Sequence, residues 1–448
     1  MNATRPPGLH DGHADDVAAL CSDLLRIDTA NPGDGTGPGE RLAAEYVAEA
    51  LDAAGVRAVL TEPRPRRTSV LARIDGEDPG LPPLLVHGHL DTVPAEPRDW
   101  TLHPLSGDLR HGCLWGRGAV DMKGTLAMTL ALVRAWARTG QRPRRDLVLA
   151  FLADEESTGA YGSRHVTTAH RDHFTGVEEA ISESGGFSIT ARRSSCTGPD
   201  ARVYPIAVGE RGTAWMRLTA HGTAGHGSGP GADNAVAELV RALSRLADHR
   251  WPARLTPAVT ALLDALDRTL GFRIDRTRLE EEASRLGRLG ELFDCTVRNT
   301  AHPTVLTAGG KVNVIPSHAH AEVDGRFLPG ERDAFLETVD RLLGPKVTRE
   351  FIHCEEAVAA DHEGPAFGAM AAALRDQDPH ARPVPFVQSG GTDAKAFARI
   401  GIATYGFAPL LLDPHLHYFG MFHGVDERVP VSGLGFGVRV LHRFLTTY

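Results

Sequence analysis

The chain has 448 residues, 42% of them hydrophobic and 23% charged, and a formal net charge of -9. Length suggests two or three domains, and the composition is that of an ordinary globular protein able to bury a core. The mild acidity argues against nucleic acid or an anionic membrane as the main partner. No stretch has the length and purity of a membrane span, and the first residues lack the apolar segment of a secretory signal. The five cysteines, at 21, 113, 196, 295 and 354, form no Cys-x-x-Cys. That argues against a disulfide framework or thiolate zinc site and suits the cytoplasm.

In chain order, the first half alternates helix and strand signals. Residues 40–55 have helical apolar spacing closed by a glycine. Residues 69–74 and 83–88 read as strands, 121–140 as a long buried helix, and 146–156 as an apolar run ending in acid. Near-continuous apolar runs separated by helices predict buried parallel strands, hence an α/β domain with helices on both faces. From 212 the pattern changes to alternation: strand from 212, amphipathic helix 234–247, strand 318–328, a helix from 331 and a strand from 347. That order predicts a β-α-β-β-α-β, ferredoxin-like α+β unit. Residues 251–305 read as a helical insertion within it. After about 360 the α/β signals return, ending in a helix over 431–447. The expected division is 1–211 and 358–448 for one discontinuous catalytic domain, and 212–357 for the inserted lid or dimerisation domain.

Ligand sites in α/β proteins lie beyond the carboxyl ends of strands. Here those ends carry metal-type side chains: His89 and Asp91 after 83–88, Asp121 in "GRGAVDMKG", Glu155 and Glu156 after 147–153, Glu183 after "EEAIS", and His423 near the C-terminus. Imidazole and carboxylate without thiolate suit zinc, or less selectively cobalt or manganese. Two histidines and three carboxylates suffice for two ions sharing a carboxylate, a device that activates water and polarises the carbonyl it attacks. In a Glu-Glu pair, one carboxylate can bind metal while its neighbour takes the proton. A lone Glu-Glu pair is ordinarily solvated surface, and a lone strand-end histidine ordinarily structural. The set outweighs its members, because charges placed after successive buried strands are costly without a shared partner.

At this point the motifs "HGHLDTVP", "GRGAVDMKG", "ADEESTG", "GERG", "GTAGHGSGP", "NVIP", "DGRFLPG", "GGTDA" and "HGVDERVP" are similar, in order and spacing, to those of the zinc amidohydrolase and metallopeptidase superfamily. That group includes acetylornithine deacetylase, succinyl-diaminopimelate desuccinylase, aminoacylase and carboxypeptidase G, and the resemblance runs from about 15 to 448. It implies two Zn2+ per subunit, one held by His89, Glu183 and Asp121, the other by Glu156 and His423 with Asp121 bridging. It implies Glu155 as general base, Asp91 orienting His89, and a cis Asp121–Met122 peptide. It further implies a homodimer in which His226 reaches the neighbouring subunit's site to bind the oxyanion. Asn313 and Arg326 match residues that bind the substrate carboxylate, and "SGGTDA", with Gly391 and Thr392, matches a loop near the substrate. His87 shares the face of His89 but is expected to be structural. The helical insertion resembles the larger dipeptidase and acyl-amino-acid hydrolase branches.

The leading reading is a dinuclear zinc hydrolase of amide bonds in small N-acyl amino acids or short peptides with a free carboxylate. A dipeptidase or carboxypeptidase is the alternative within the class, and a catalytically idle binding homologue the alternative outside it. No Gly-x-Ser-x-Gly elbow, His-Glu-x-x-His motif or P-loop is present, and "GRGAVD" has Asp where a dinucleotide fingerprint needs its last glycine.

Overall fold

A computed structural model of the chain describes residues 13–191, 201–229, 233–294 and 296–448. Cys196 and Cys295 lie outside these residues. Strands Leu84–His89 and Leu147–Leu152 are parallel neighbours at the centre of a large mixed sheet. In spatial order the strands are Ala58–Arg64, Arg67–Ile74, Leu147–Leu152, Leu84–His89, Glu179–Ser182, Ala403–Gly406, Ala201–Glu210 and Val358–Ala359. Ala381–Gln388 runs parallel to Ala201–Glu210, and Ile189–Ala191 antiparallel to it. The centre is parallel and the edges antiparallel. Every residue of Leu147–Leu152 is buried because the pleat feeds two cores. Leu147, Leu149 and Phe151 join one core with the helices His13–Arg26, Lys123–Thr139 and Val431–Thr447. Val148, Ala150 and Leu152 join the other with Val166, Phe174 and Phe397.

Immediately after Ala201–Glu210, the strand Gly212–His221 enters a separate four-stranded sheet. It pairs antiparallel with His318–Phe327 and Val347–Glu355, and Thr300–Ala308 closes the other edge. Helices Ala235–Ala247 and Arg332–Leu343 cover one face, packing Leu239, Val339 and Phe335 on Met216, Leu218 and Val323. The Asn234 side chain starts the first of these helices, accepting from the N–H groups of Val236 and Ala237 at 3.0 and 3.3 Å.

The helical stretch expected to enlarge this smaller unit behaves differently. Helices Pro257–Leu270, Leu279–Leu286 and Arg288–Asp294 bury Val259, Leu262, Leu263, Leu266, Leu292 and Phe293 in the core of the large sheet. Arg288 ties them down, donating to the carbonyls of Pro414, His415 and Leu416 at 2.8, 3.1 and 2.9 Å. Their apolar stripe is matched by the face of Ala381–Gln388, which the smaller sheet does not offer.

A three-stranded ribbon, Asp108–Arg110, Cys113–Trp115 and Arg428–Pro430, brings the C-terminal segment beside the loop that holds Asp121. The two-stranded ribbon Gly225–His226 with Val314–Ile315 projects from the smaller sheet. Among the described residues no helix is long and apolar enough to cross a membrane.

Candidate metal centre

His89 is the last residue of a buried strand, so its imidazole emerges where the sheet ends. Its Nδ1 lies 2.9 Å from the backbone carbonyl of Asp91, leaving Nε2 facing Asp121 Oδ1 at 3.0 Å and Glu183 Oε2 at 3.6 Å. Asp121 is shared: its other oxygen is 3.2 Å from His423 Nε2. His423 Nε2 is also 3.0 Å from Glu156 Oε2. His89, Asp121 and Glu156 form one group whose candidate ligand atoms lie within 4.8 Å of each other, and His89, Glu155 and Glu183 form another. The six expected side chains therefore converge, with Asp121 between the two histidines.

The electrostatics fit a cation. Burial pushes Glu183 up to about 8 and raises Glu155 and Glu156 above the ordinary carboxylate range, with neighbouring carboxylates adding to it. Burial works the same way on Asp121, but hydrogen bonds with His423 and His89 hold it low. Bonds to Asp121 and Glu156 raise His423 to about 10. Glu156 Oε1 is buried with no hydrogen-bond partner. Four carboxylates crowd a buried volume, and one has an unpartnered oxygen. A divalent cation relieves both the repulsion and the missing contact.

Supporting groups set these positions. Asp91 was expected to hold the His89 ring through its carboxylate, but the Asp91 carbonyl is the nearer group and Oδ1 stands at 3.7 Å. The carboxylate instead accepts the N–H groups of Glu155 and Glu156, each at 3.1 Å, and Asn31 Nδ2 at 2.8 Å. It shapes the turn that presents the glutamate pair. Glu427, which the sequence reading did not single out, does the same for Asp121. It accepts the N–H groups of Gly118, Val120 and Asp121 at 3.0, 2.6 and 2.9 Å and pairs with Arg117 at 2.8 Å. The Asp121–Met122 peptide is cis. Asp154, Ser184 and His423 take positive φ of 66°, 66° and 56°, an uncommon conformation that tertiary contacts must hold. His87 is buried away from the cluster, 3.2 Å from Ser182 Oγ and packed on Phe397. Burial lowers its pKa to about 3, so it is a neutral core residue.

The cluster opens into a cavity of about 600 Å³. Arg326, Gly391 and Thr392 line it as expected, together with Thr213, Lys395 and Glu355, which the sequence reading missed. The Thr392 hydroxyl donates to Glu210, as does its N–H at 2.9 Å. Aromatic and aliphatic side chains, Phe187, Leu292, Phe386, Phe419 and Phe422, make an apolar part of the wall. His226 and Asn313 do not line the cavity. Both are exposed on the projecting ribbon, where Gly227 N–H donates to the Asn313 carbonyl at 2.9 Å and His226 Nδ1 meets Ser228 Oγ at 2.7 Å.

Imidazoles and carboxylates gathered at strand ends beside an open cavity define a metal-dependent hydrolase. The chain belongs to peptidase family M20/M25/M40, whose model matches residues 85–447. Among its relatives, human N-fatty-acyl-amino acid synthase/hydrolase PM20D1 is 29% identical over 384 residues, covering 81% of this chain and 74% of that protein. Succinyl-diaminopimelate desuccinylase of Paracoccus denitrificans is 26% identical over 442 residues, covering 97% and 98%. The fold matches that of an M20 metallo-carboxypeptidase of Sulfolobus solfataricus, with TM-score 0.71 at 18% identity over 96% and 99% of the two chains. It also matches the Bacillus subtilis YXEP protein, described as a dinuclear metal binding peptidase, with TM-score 0.61 at 14% identity over 98% of each.

Proposed function

We propose that the protein hydrolyses the amide bond of N-acyl amino acids with an apolar acyl group, using two divalent cations, zinc first. His89, Asp121 and Glu183 would hold one and Asp121, Glu156 and His423 the other. When bound, such cations supply Lewis acidity to a carbonyl and to water. The observation that carries the reading is the half-buried Glu155 carboxylate, which lines the cavity close to His89 and Glu183 and next in sequence to Glu156.

Glu155 takes the proton from the attacking water on a carboxylate oxygen and returns it to the departing amine nitrogen. Its position follows from the Glu155 N–H bond to Asp91, so the base and its neighbouring ligand Glu156 are set by one carboxylate. Arg326 and the Gly391–Thr392 turn receive the amino acid end. The wall of Phe187, Leu292, Phe419 and Phe422 supports an apolar acyl group, in line with the activity named for PM20D1. His226 supplies an oxyanion donor to a second copy's site, with Asn313 beside it; their exposure on a projecting ribbon supports a homodimer of this kind. In this reading the catalytic unit is 1–211 with 358–448, and 212–357 is inserted between. Free thiols at Cys21, Cys113 and Cys354 support a reducing, cytoplasmic setting. A dipeptidase is the second reading, favoured by the fold shared with the yeast di-peptidase Dug1p, TM-score 0.67.

The test is a mass-spectrometric screen of zinc-loaded protein against N-acetyl, N-succinyl and long-chain N-acyl amino acids and dipeptides, beside Glu155→Gln. Release of amino acid from the long-chain substrates is expected. The variant should lose about 10² to 10⁴ in kcat with its metal content unchanged by mass spectrometry. Turnover confined to dipeptides selects the second reading. Loss of metal from Glu155→Gln removes Glu155 from the role of base.

A further inference from the structure

The cavity at the metal centre is divided by chemistry. The smaller sheet brings Thr213, Trp215, Arg326, His353 and Glu355 to it, side chains that are mostly polar or charged. The apolar part of the wall, Phe187, Leu292, Phe386, Phe419 and Phe422, comes from elsewhere. Phe187 stands four residues after Glu183 and Phe422 directly before His423, so this part is built from the same segments as the candidate ligands. Among these five, Leu292 is the one that the helical insertion supplies.

Leu292 lies on the helix Arg288–Asp294, and Thr296, four residues on, lines the cavity with it. The Thr296 hydroxyl donates to the carbonyls of Leu292 and Phe293, at 3.3 and 3.4 Å, so its proton is spent within its own segment. Leu292 and Phe187 are 1% and 2% exposed and form the enclosed part of the wall, whereas Phe419 and Phe422 are half-buried. Leu292 has no room to swing aside, because it belongs to the core of the large sheet beside the fully buried Phe293. The same helix braces the aromatic part of the wall. Arg288 holds the carbonyls of Pro414, His415 and Leu416, and Glu291 Oε1 lies 3.4 Å from His417 Nε2. Directly after that grip, the rings of Tyr418 and Phe419 pack on Phe187 with centroids at 5.0 and 4.9 Å, and Tyr418 packs on Phe422 at 5.6 Å.

We infer that the insertion is the gauge of the acyl group: Leu292, backed by the large-sheet core, sets how long an apolar chain the site accepts. A chain laid along this wall buries each methylene it adds until it meets Leu292, and each is worth about fourfold in binding. Past that point the close-packed core gives no space, and a further methylene has to displace packed side chains. The helix is anchored to the large-sheet core and to residues 414–416, so the stop is fixed relative to the segment that carries His423. The smaller sheet takes no part in setting it.

This deepens the proposed hydrolysis and rests on it, and the test separates the two. The ratio kcat/KM is measured on zinc-loaded protein with L-phenylalanine carrying saturated N-acyl groups from acetyl to tetradecanoyl, for wild type, Leu292→Ala, Leu292→Phe and Leu263→Ala. Wild type should gain about fourfold per methylene up to a limiting length and then stop gaining. Leu292→Ala should move that limit to longer chains and Leu292→Phe to shorter ones. The preference between chains on either side of the wild-type limit should change by about tenfold or more, in opposite directions. Leu263 is also buried in the insertion but does not line the cavity, so Leu263→Ala should lower stability and keep the wild-type limit. In parallel, calorimetry of butanoate, octanoate and dodecanoate, which needs no turnover, should show the same limit. Absence of hydrolysis with a Leu292-dependent limit in carboxylate binding removes the hydrolase reading and keeps the gauge. Three results would overturn the gauge: a wild type that gains nothing over acetyl, turnover of dipeptides alone without length-dependent carboxylate binding, or a limit that Leu292→Ala and Leu292→Phe leave in place.

Discussion

Glu427 is not among the residues lining the cavity at the metal centre, yet it fixes the residue on which the centre depends. It is completely buried, and its four partners are three backbone N–H groups of the Gly118–Asp121 loop and the Arg117 guanidinium. Arg117 is itself buried and stacked on Trp100. Glu427→Ala leaves that cation unpaired and three donors unsatisfied. A loss of about 3–5 kcal/mol in stability is expected from denaturant unfolding, together with weaker zinc binding in a competitive chelator titration. Unchanged stability would show that the loop is held by other contacts. Glu427 stands within a motif quoted from the sequence, four residues after His423, but its role was not legible there. A carboxylate that binds metal and one that binds backbone look alike until the N–H groups are in place. Asp91 teaches the same lesson, since its position was expected and its carboxylate serves the glutamate turn in place of the histidine.

At the scale of elements, the helix Lys123–Thr139 begins with a buried cation. Lys123 is 1% exposed and donates to the Ile27 carbonyl at 2.8 Å. Burial lowers its pKa from 10.5 to about 8. Between those values the unfolded chain binds the proton and the folded chain does not, so this group makes stability rise with pH across that window. Below about 8 its contribution is absent, which amounts to about 3 kcal/mol relative to pH above 10.5. Comparing denaturant midpoints of wild type and Lys123→Met from pH 7.5 to 10.5 should give a difference that shifts toward the wild type as pH rises. A pH-independent difference would mean that Lys123 keeps its ordinary affinity for the proton. The inserted helices make a second case. Phe293 is fully buried in the core of the large sheet. Phe293→Ala should cost about 3–5 kcal/mol in the unfolding of that core. If the helices were an appendage of the smaller sheet, the large sheet's transition would not move. Their apolar periodicity was readable, but which sheet receives the stripe depends on the surfaces available after folding.

For the whole molecule, the exposed ribbon bearing His226 and Asn313 lies apart from its own cavity. If His226 serves the other copy, two inactive variants should repair one another. In a mixed dimer of His226→Ala with Glu155→Gln, one site keeps both residues and the other loses both. After dissociation and random reassociation, about half the dimers are mixed, so activity should return to about a quarter of the wild-type value. Sedimentation velocity supplies the oligomeric state. Recovery of nothing from a confirmed mixed dimer would place His226 outside the chemistry.

Much of this was set in the linear sequence. Apolar runs ending in His89, Glu155 and Glu183 determined buried strands with acids and imidazoles at their carboxyl ends, because such runs are stable only between two helical layers. The switch to alternation at 212 determined a half-exposed second sheet. The strand Ala201–Glu210 was not read, since Pro205 interrupts it; its buried place comes from partners 381–388 and 403–406, nearly two hundred residues away. Only the tertiary structure decided that Glu427 holds the Asp121 loop and that the insertion packs on the large sheet. Those outcomes depend on pairings distant along the chain, whose geometry no local pattern of residues encodes.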